Sequence, residues 1–161
     1  MIVHSKKLDE NFKSYSFVIG LGILVGIITR LTDFFPYDDL WNFGSIATLF
    51  GFWMLTVTLI IYISSSNNNA AINVFLYLFG MNFSFYFLKY ILGFFVPIFN
   101  NEGFHWNLFI LYNVFALVCS AIAYVLYFWN KENKLNSFLY ALPVSGLVAE
   151  TIGISIYLYN N

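Results

Sequence analysis

Residues 106–129 read WNLFILYNVFALVCSAIAYVLYFW, 24 residues without one charged side chain. A helix needs about 20 mainly apolar residues to cross a hydrocarbon core about 30 Å thick, and this stretch satisfies that with Trp at both ends. Tryptophan concentrates where headgroups meet hydrocarbon, so Trp106 and Trp129 mark the expected ends of a membrane span. The bulk composition agrees. The 161-residue chain is 60% hydrophobic and only 9% charged, with a mean hydropathy of +0.75. A soluble domain carries about 25% charged residues, and one of this length leaves roughly a third of its surface in water. So much apolar surface has nowhere to go except a bilayer, and disorder is excluded because groups to bury are abundant.

Working outward from 106–129, four more segments fit the same criterion, giving an all-α polytopic integral membrane bundle with five expected spans. These are 15–31, 41–64, 71–93, 106–129 and 137–159, within one transmembrane domain covering 1–161. The stretch 94–105 holds Pro97 and reads as an extracytoplasmic interfacial loop, because proline interrupts a helix. The connectors 64–69, 100–103 and 130–136 are rich in Ser, Asn and Gly and read as turns. Lys6, Lys7 and Lys13 precede the first apolar stretch as in a signal peptide. No small-x-small cleavage site follows Arg30, however, so the segment is read as a retained span.

Lysine and arginine collect on the cytoplasmic side of spans. With the N-terminus inside, the inner segments hold Lys6, Lys7, Lys13, Lys131 and Lys134, and the outer ones hold Arg30 alone. The expected topology is therefore a multi-pass plasma-membrane protein with cytoplasmic N-terminus (1–14) and extracytoplasmic C-terminus. The start around Phe12 and Lys13 is expected along the inner headgroups. Heavy use of Asn, Ile, Phe and Tyr points to a bacterium with an AT-rich genome.

Seven basic and eight acidic residues leave no basic stripe for nucleic acid. The lone Cys119 permits no internal disulfide or metal cluster. Asp33, Asp38, Asp39, Glu102 and His105 fall in the outer loops, but their spacing fits no calcium or zinc pattern. Neither metal nor cofactor is expected. No phosphate loop, H-E-x-x-H or G-x-S-x-G occurs.

Glu150 lies about 20 Å along the fifth span, where an ionisable group costs a few kcal/mol and should face the bundle interior. It reads as a ligand anchor, a proton carrier or a cation site, or else as an acid kept neutral by burial or paired with Lys89 or Arg30 to fix helix register. Asn113 sits at a similar depth, in a stripe with Ala116, Ser120 and Ala123 that suits helix packing. Lys89, about 27 Å along the third span, shares a face with Asn82 and Tyr86. It is either a cation at a pocket mouth or a side chain snorkelling to the headgroups. Arg30 reads as an interface anchor, and Gly22 and Gly26 as a packing surface.

The sequence thus supports a solute-binding or transport module, its outward-facing polar pocket built on Glu150, Asn113, Lys89, Asn82 and Tyr86. The expected ligand is a small amphipathic or aromatic solute. The alternative is a non-catalytic accessory subunit, or an immunity or assembly factor, bound to a membrane-protein partner or to its own copies. An enzyme using Glu150 or His105 as acid or base has only the polarity of the site behind it.

Overall fold

The computed structural model describes residues 8–32, 50–95, 103–130 and 134–160. Among these, the chain is all-helical: α1 (Phe12–Leu31), α2 (Phe50–Ile63), α3 (Asn67–Phe95), α4 (Trp106–Leu126) and α5 (Lys134–Asn160). A 3₁₀ turn, Tyr127–Asn130, follows α4. Three of the helices, α1, α3 and α4, are long and apolar enough to cross a membrane. Helix α2 has 14 residues, about 21 Å at 1.5 Å per residue. The first part of the expected second span, 41–49, lies outside the described residues. In α5 the apolar run is the short segment Pro143–Ile156.

Several boundaries differ from those expected, each for a local reason. Helix α1 begins at Phe12 rather than Tyr15, because Asn11 caps it, accepting the Ser14 N–H at 2.8 Å. The Ser/Asn run expected as a turn over 64–69 is split. Ser66 Oγ accepts the Asn69 N–H at 3.1 Å, so Ser66 is an N-cap and Asn67–Asn69 is the first turn of α3. Helix α3 also continues through Phe94 and Phe95, two residues into the expected interfacial loop. Residues 96–102, including Pro97, lie outside the described residues. Helix α5 includes residues 134–136, which fall in the link expected over 130–136, while 131–133 lie outside the described residues.

Helix α3 is the axis of the bundle. Against α1 the backbones nearly touch. A Cβ on Gly22 or Gly26 would overlap the carbonyl of Tyr77 or Met81, and one on Gly80 would lie 2.7 Å from the Ile19 oxygen. The glycines at 22 and 26 are thus an internal packing surface, as their spacing suggests. On the other side Ala116 and Ala123 are fully buried, and Ser120 Oγ donates across to the Ala71 carbonyl at 2.8 Å. The amide-and-small stripe of α4 is a helix-packing face. Rings close this interface, with Phe79 against Phe109 at 6.3 Å and Tyr86 against Tyr112 at 6.1 Å. The opposite face of α4, including Leu111, Val114, Leu117, Val118 and Val125, is exposed, as a bilayer-facing surface would be.

A polar knot fastens one end of the bundle. Leu8 N–H donates to the Ile63 carbonyl at 2.7 Å, and Asn69 Nδ2 donates to the Leu8 carbonyl and to Ser65 Oγ. Ser66 Oγ donates to Glu10, and Tyr127 OH to the Ser65 carbonyl at 2.6 Å. Asn73 Nδ2 donates to Ser64 Oγ at 3.0 Å, and Ser64 in turn to the Ile60 carbonyl at 2.7 Å. Ser64, Asn69 and Asn73 have no exposed surface. Their amide nitrogens and the Ser64 hydroxyl are bonded, while Oδ1 of Asn69 and of Asn73 has no partner among the described residues. Such groups are costly to bury unless bonded, so the bonds they make favour one arrangement of α1, α2, α3 and the α4 terminus. Residues 8–11 are thus strapped across the α2–α3 turn, while Phe12 and Lys13 are exposed.

Candidate functional site

Helices α2 and α4 both pack on α3 but touch each other sparsely, because the small residues of α4 face α3. The space between them is a half-enclosed cavity of about 550 Å³, within the range of small-molecule sites. Trp53, Met54, Val57, Thr58 and Ile61 of α2 form one wall. Tyr112, Phe115, Cys119 and Ile122 of α4 form the other. Leu78 and Asn82 of α3 supply the floor, and Pro143 of α5 closes one side.

A second cavity of about 320 Å³ adjoins it and shares Trp53, Asn82 and Tyr112. Its other walls are Met81, Phe85 and Tyr86 of α3 and Thr29 of α1. Asn82, Thr29 and Tyr86 are each 7% exposed. Among the described residues the side chains of these three make no hydrogen bond. Buried polar groups normally have partners, so three unpartnered ones on one cavity leave donors and acceptors directed at whatever fills it. Among the described residues that line either cavity, none carries an ionisable acid, lysine, arginine or histidine.

The residues singled out in the sequence fall into two groups. Asn82 and Tyr86 come together at the second cavity. Glu150, Asn113 and Lys89 line neither. Glu150 is half-buried on α5, and its Oε2 accepts the backbone N–H of Gly51 in α2. Gly146, one turn earlier, meets the Met54 thioether, so this face of α5 fastens onto α2. Asn113 Nδ2 donates to the carbonyl of Phe109 in its own helix at 2.7 Å. Lys89 is half-buried near the end of α3.

Arg30, expected as an interface anchor, is only 5% exposed, and its guanidinium lies 5.4 Å above the Phe85 ring. The electron-rich ring face attracts the cation, which draws Arg30 inward and holds Phe85 in the cavity wall. Among the described residues no group of three His, Cys, Asp or Glu could hold a metal ion. The acids Asp33, Asp38, Asp39 and Glu102 lie outside the described residues.

Sequence reasoning did not assemble Thr29, Phe85 and Tyr112 with Asn82. Tyr86 was visible as a helix-face neighbour of Asn82. Thr29 and Tyr112 belong to other helices, and no spacing rule within one helix reaches them. Compared with known proteins, the chain matches no family, no curated protein and no solved structure.

Proposed function

We propose that this chain is a five-span bacterial plasma-membrane protein, N-terminus cytoplasmic, that binds a small amphipathic or aromatic molecule as a solute-binding or transport module. The observation that carries this reading is Asn82. It is a buried amide without a hydrogen-bond partner among the described residues, and it lines both cavities. An amide that faces a cavity bonds whatever fills it, and a hydrogen bond from a ligand there contributes about 0.5–1.5 kcal/mol. The proposed site is therefore Asn82 and Tyr86, with Thr29, Trp53 and Tyr112 around them. In this reading Glu150 acts as a fastener between α5 and α2, Asn113 belongs to the α3–α4 seam, and Lys89 serves the mouth or the headgroups.

Native mass spectrometry of the protein, released from its own membrane in a mild detergent, tests the proposal. A discrete small mass that stays with the bundle supports it. A second polypeptide in stoichiometric amount would instead support the accessory-subunit or assembly-factor reading. A bare chain carrying only bulk phospholipid would overturn the binding proposal.

A further inference from the structure

The two cavities differ in chemistry, and that difference describes a ligand. The smaller one is ringed by Trp53, Phe85, Tyr86 and Tyr112 and carries the Asn82 amide and the Thr29 hydroxyl. Aromatic walls suit a planar ring, by offset or edge contact. An amide, a hydroxyl and a phenol offer that ring both donors and acceptors. The larger cavity is almost wholly hydrocarbon in its lining, with Val57, Ile61, Leu78, Ile122 and Leu126 among its walls. Away from the end that it shares with the smaller cavity, where Asn82 lies, it suits a hydrocarbon tail.

Charge narrows the class. A carboxylate, phosphate or ammonium taken into such a site needs an opposite charge among its contacts, or the desolvation cost is several kcal/mol. Among the described residues, neither lining supplies one. Access points the same way. Three lining residues of α4, Tyr112, Phe115 and Ile122, are 48%, 55% and 50% exposed. They belong to the helix whose outer face is apolar along its length. The trough between α2 and α4 is thus open sideways, toward hydrocarbon.

We infer that the ligand is an uncharged ring lipid, entering laterally from the bilayer. Its polar planar ring, of the benzoquinone or hydroquinone kind, sits among Trp53, Phe85, Tyr86 and Tyr112 and hydrogen-bonds Asn82 and Thr29. Its aliphatic tail lies in the trough between α2 and α4. The inference rests on the binding proposal above and names the ligand class for the same site. It involves binding alone, with no change of redox state.

Three probes sharing parts of this structure test it on the purified full-length protein. They are a 1,4-benzoquinone bearing a ten-carbon tail, the same ring without the tail, and decanoate. Binding is read from saturable quenching of tryptophan fluorescence, with Trp53→Phe as the check that the quenched indole is the one in the wall. The tailed ring is expected to bind saturably, at least about tenfold more tightly than the tail-less ring, since each buried methylene contributes about 0.8 kcal/mol. Decanoate is expected to show no saturable binding. Asn82→Leu and the isosteric Thr29→Val are each expected to weaken the tailed ring, Asn82→Leu by about tenfold.

Decanoate binding as well as the tailed ring, or equal affinities with and without the tail, would overturn the inference on the wild-type protein alone. Unchanged affinity in both variants would also overturn it. The two levels of proposal separate cleanly. A discrete native ligand of other chemistry, with no ring-lipid binding, defeats this inference and leaves the binding module standing. Neither native ligand nor probe binding defeats both.

Discussion

Replacing Gly26 by alanine is a single-methyl test of how the bundle is built. A Cβ at Gly26 would lie 3.0 Å from the carbonyl carbon of Met81 and overlap its oxygen and Ser84 Oγ. Ser84 can turn away, but the Met81 carbonyl is helix backbone and cannot. Carbon atoms are comfortable at about 3.5–4.0 Å, so α1 and α3 must part by roughly 0.5–1 Å. Overpacking of this kind costs about 1–3 kcal/mol, against a gain of about 1 kcal/mol from alanine's better helix propensity. Gly26→Ala is thus expected to destabilise by up to about 2 kcal/mol, and to fall about 1–3 kcal/mol below a substitution that has the propensity gain alone. Gly20→Ala is the matched control, because a Cβ there meets nothing within 4 Å and only the propensity gain applies. Thermal melting of both variants in one detergent reads the difference, with Gly20→Ala at or above wild type and Gly26→Ala below it. Thr29 lies one turn beyond Gly26 and lines the smaller cavity, so Gly26→Ala also displaces a ligand contact and weakens binding. Identical melting of the two variants would refute the close α1–α3 packing.

The polar knot predicts non-additive energetics. Ser64→Ala leaves the fully buried Asn73 amide without its acceptor and is expected to cost about 1–3 kcal/mol. Ser64→Ala with Asn73→Leu should cost less than the sum of the two singles, and a double-mutant cycle of denaturation midpoints measures the coupling. At the α2–α5 contact, Glu150→Gln keeps an oxygen for the Gly51 N–H and should melt within about 1 kcal/mol of wild type. Glu150→Leu removes the acceptor and should be distinctly less stable, with ring-lipid affinity unchanged because Glu150 lines neither cavity. A loss of affinity in Glu150→Gln at full stability would return Glu150 to the site. Cys119, in the wall of the larger cavity, should react more slowly with N-ethylmaleimide when the tailed quinone is bound, a rate followed by mass spectrometry.

The helical, membrane-suited character was legible because it depends on runs of apolar residues, and a run such as 106–129 needs no knowledge of its neighbours. The Gly22 and Gly26 pair was legible for a similar reason, since glycines one turn apart offer a backbone surface whatever partner comes. The Ser/Asn run at 64–69 misled because the same residue types that favour turns also cap helices. Only the bond from Asn69 N–H to Ser66 Oγ decides where α3 begins.

The pocket was harder to read. Ionisable residues within apolar stretches draw the eye, because their cost is visible from sequence, and so Glu150 and Lys89 stood out. In the fold the Glu150 carboxylate meets a backbone amide of α2. The polar groups that line the smaller cavity without a hydrogen bond among the described residues are the uncharged Asn82, Thr29 and Tyr86, from two helices, with Tyr112 of a third. Their convergence depends on how α1, α3 and α4 rotate about their axes. That rotation is set by small residues meeting across interfaces, which a single chain's spacing does not specify.

The most direct test of the binding site compares native mass spectra of wild type and Asn82→Leu, expressed and extracted side by side from the same membranes. The expected result is one discrete, uncharged small molecule on the wild-type bundle, absent from a variant that still melts cooperatively. The same small molecule retained in equal amount by Asn82→Leu, or no small molecule on either protein, would contradict the assignment of Asn82 as the centre of a ligand site.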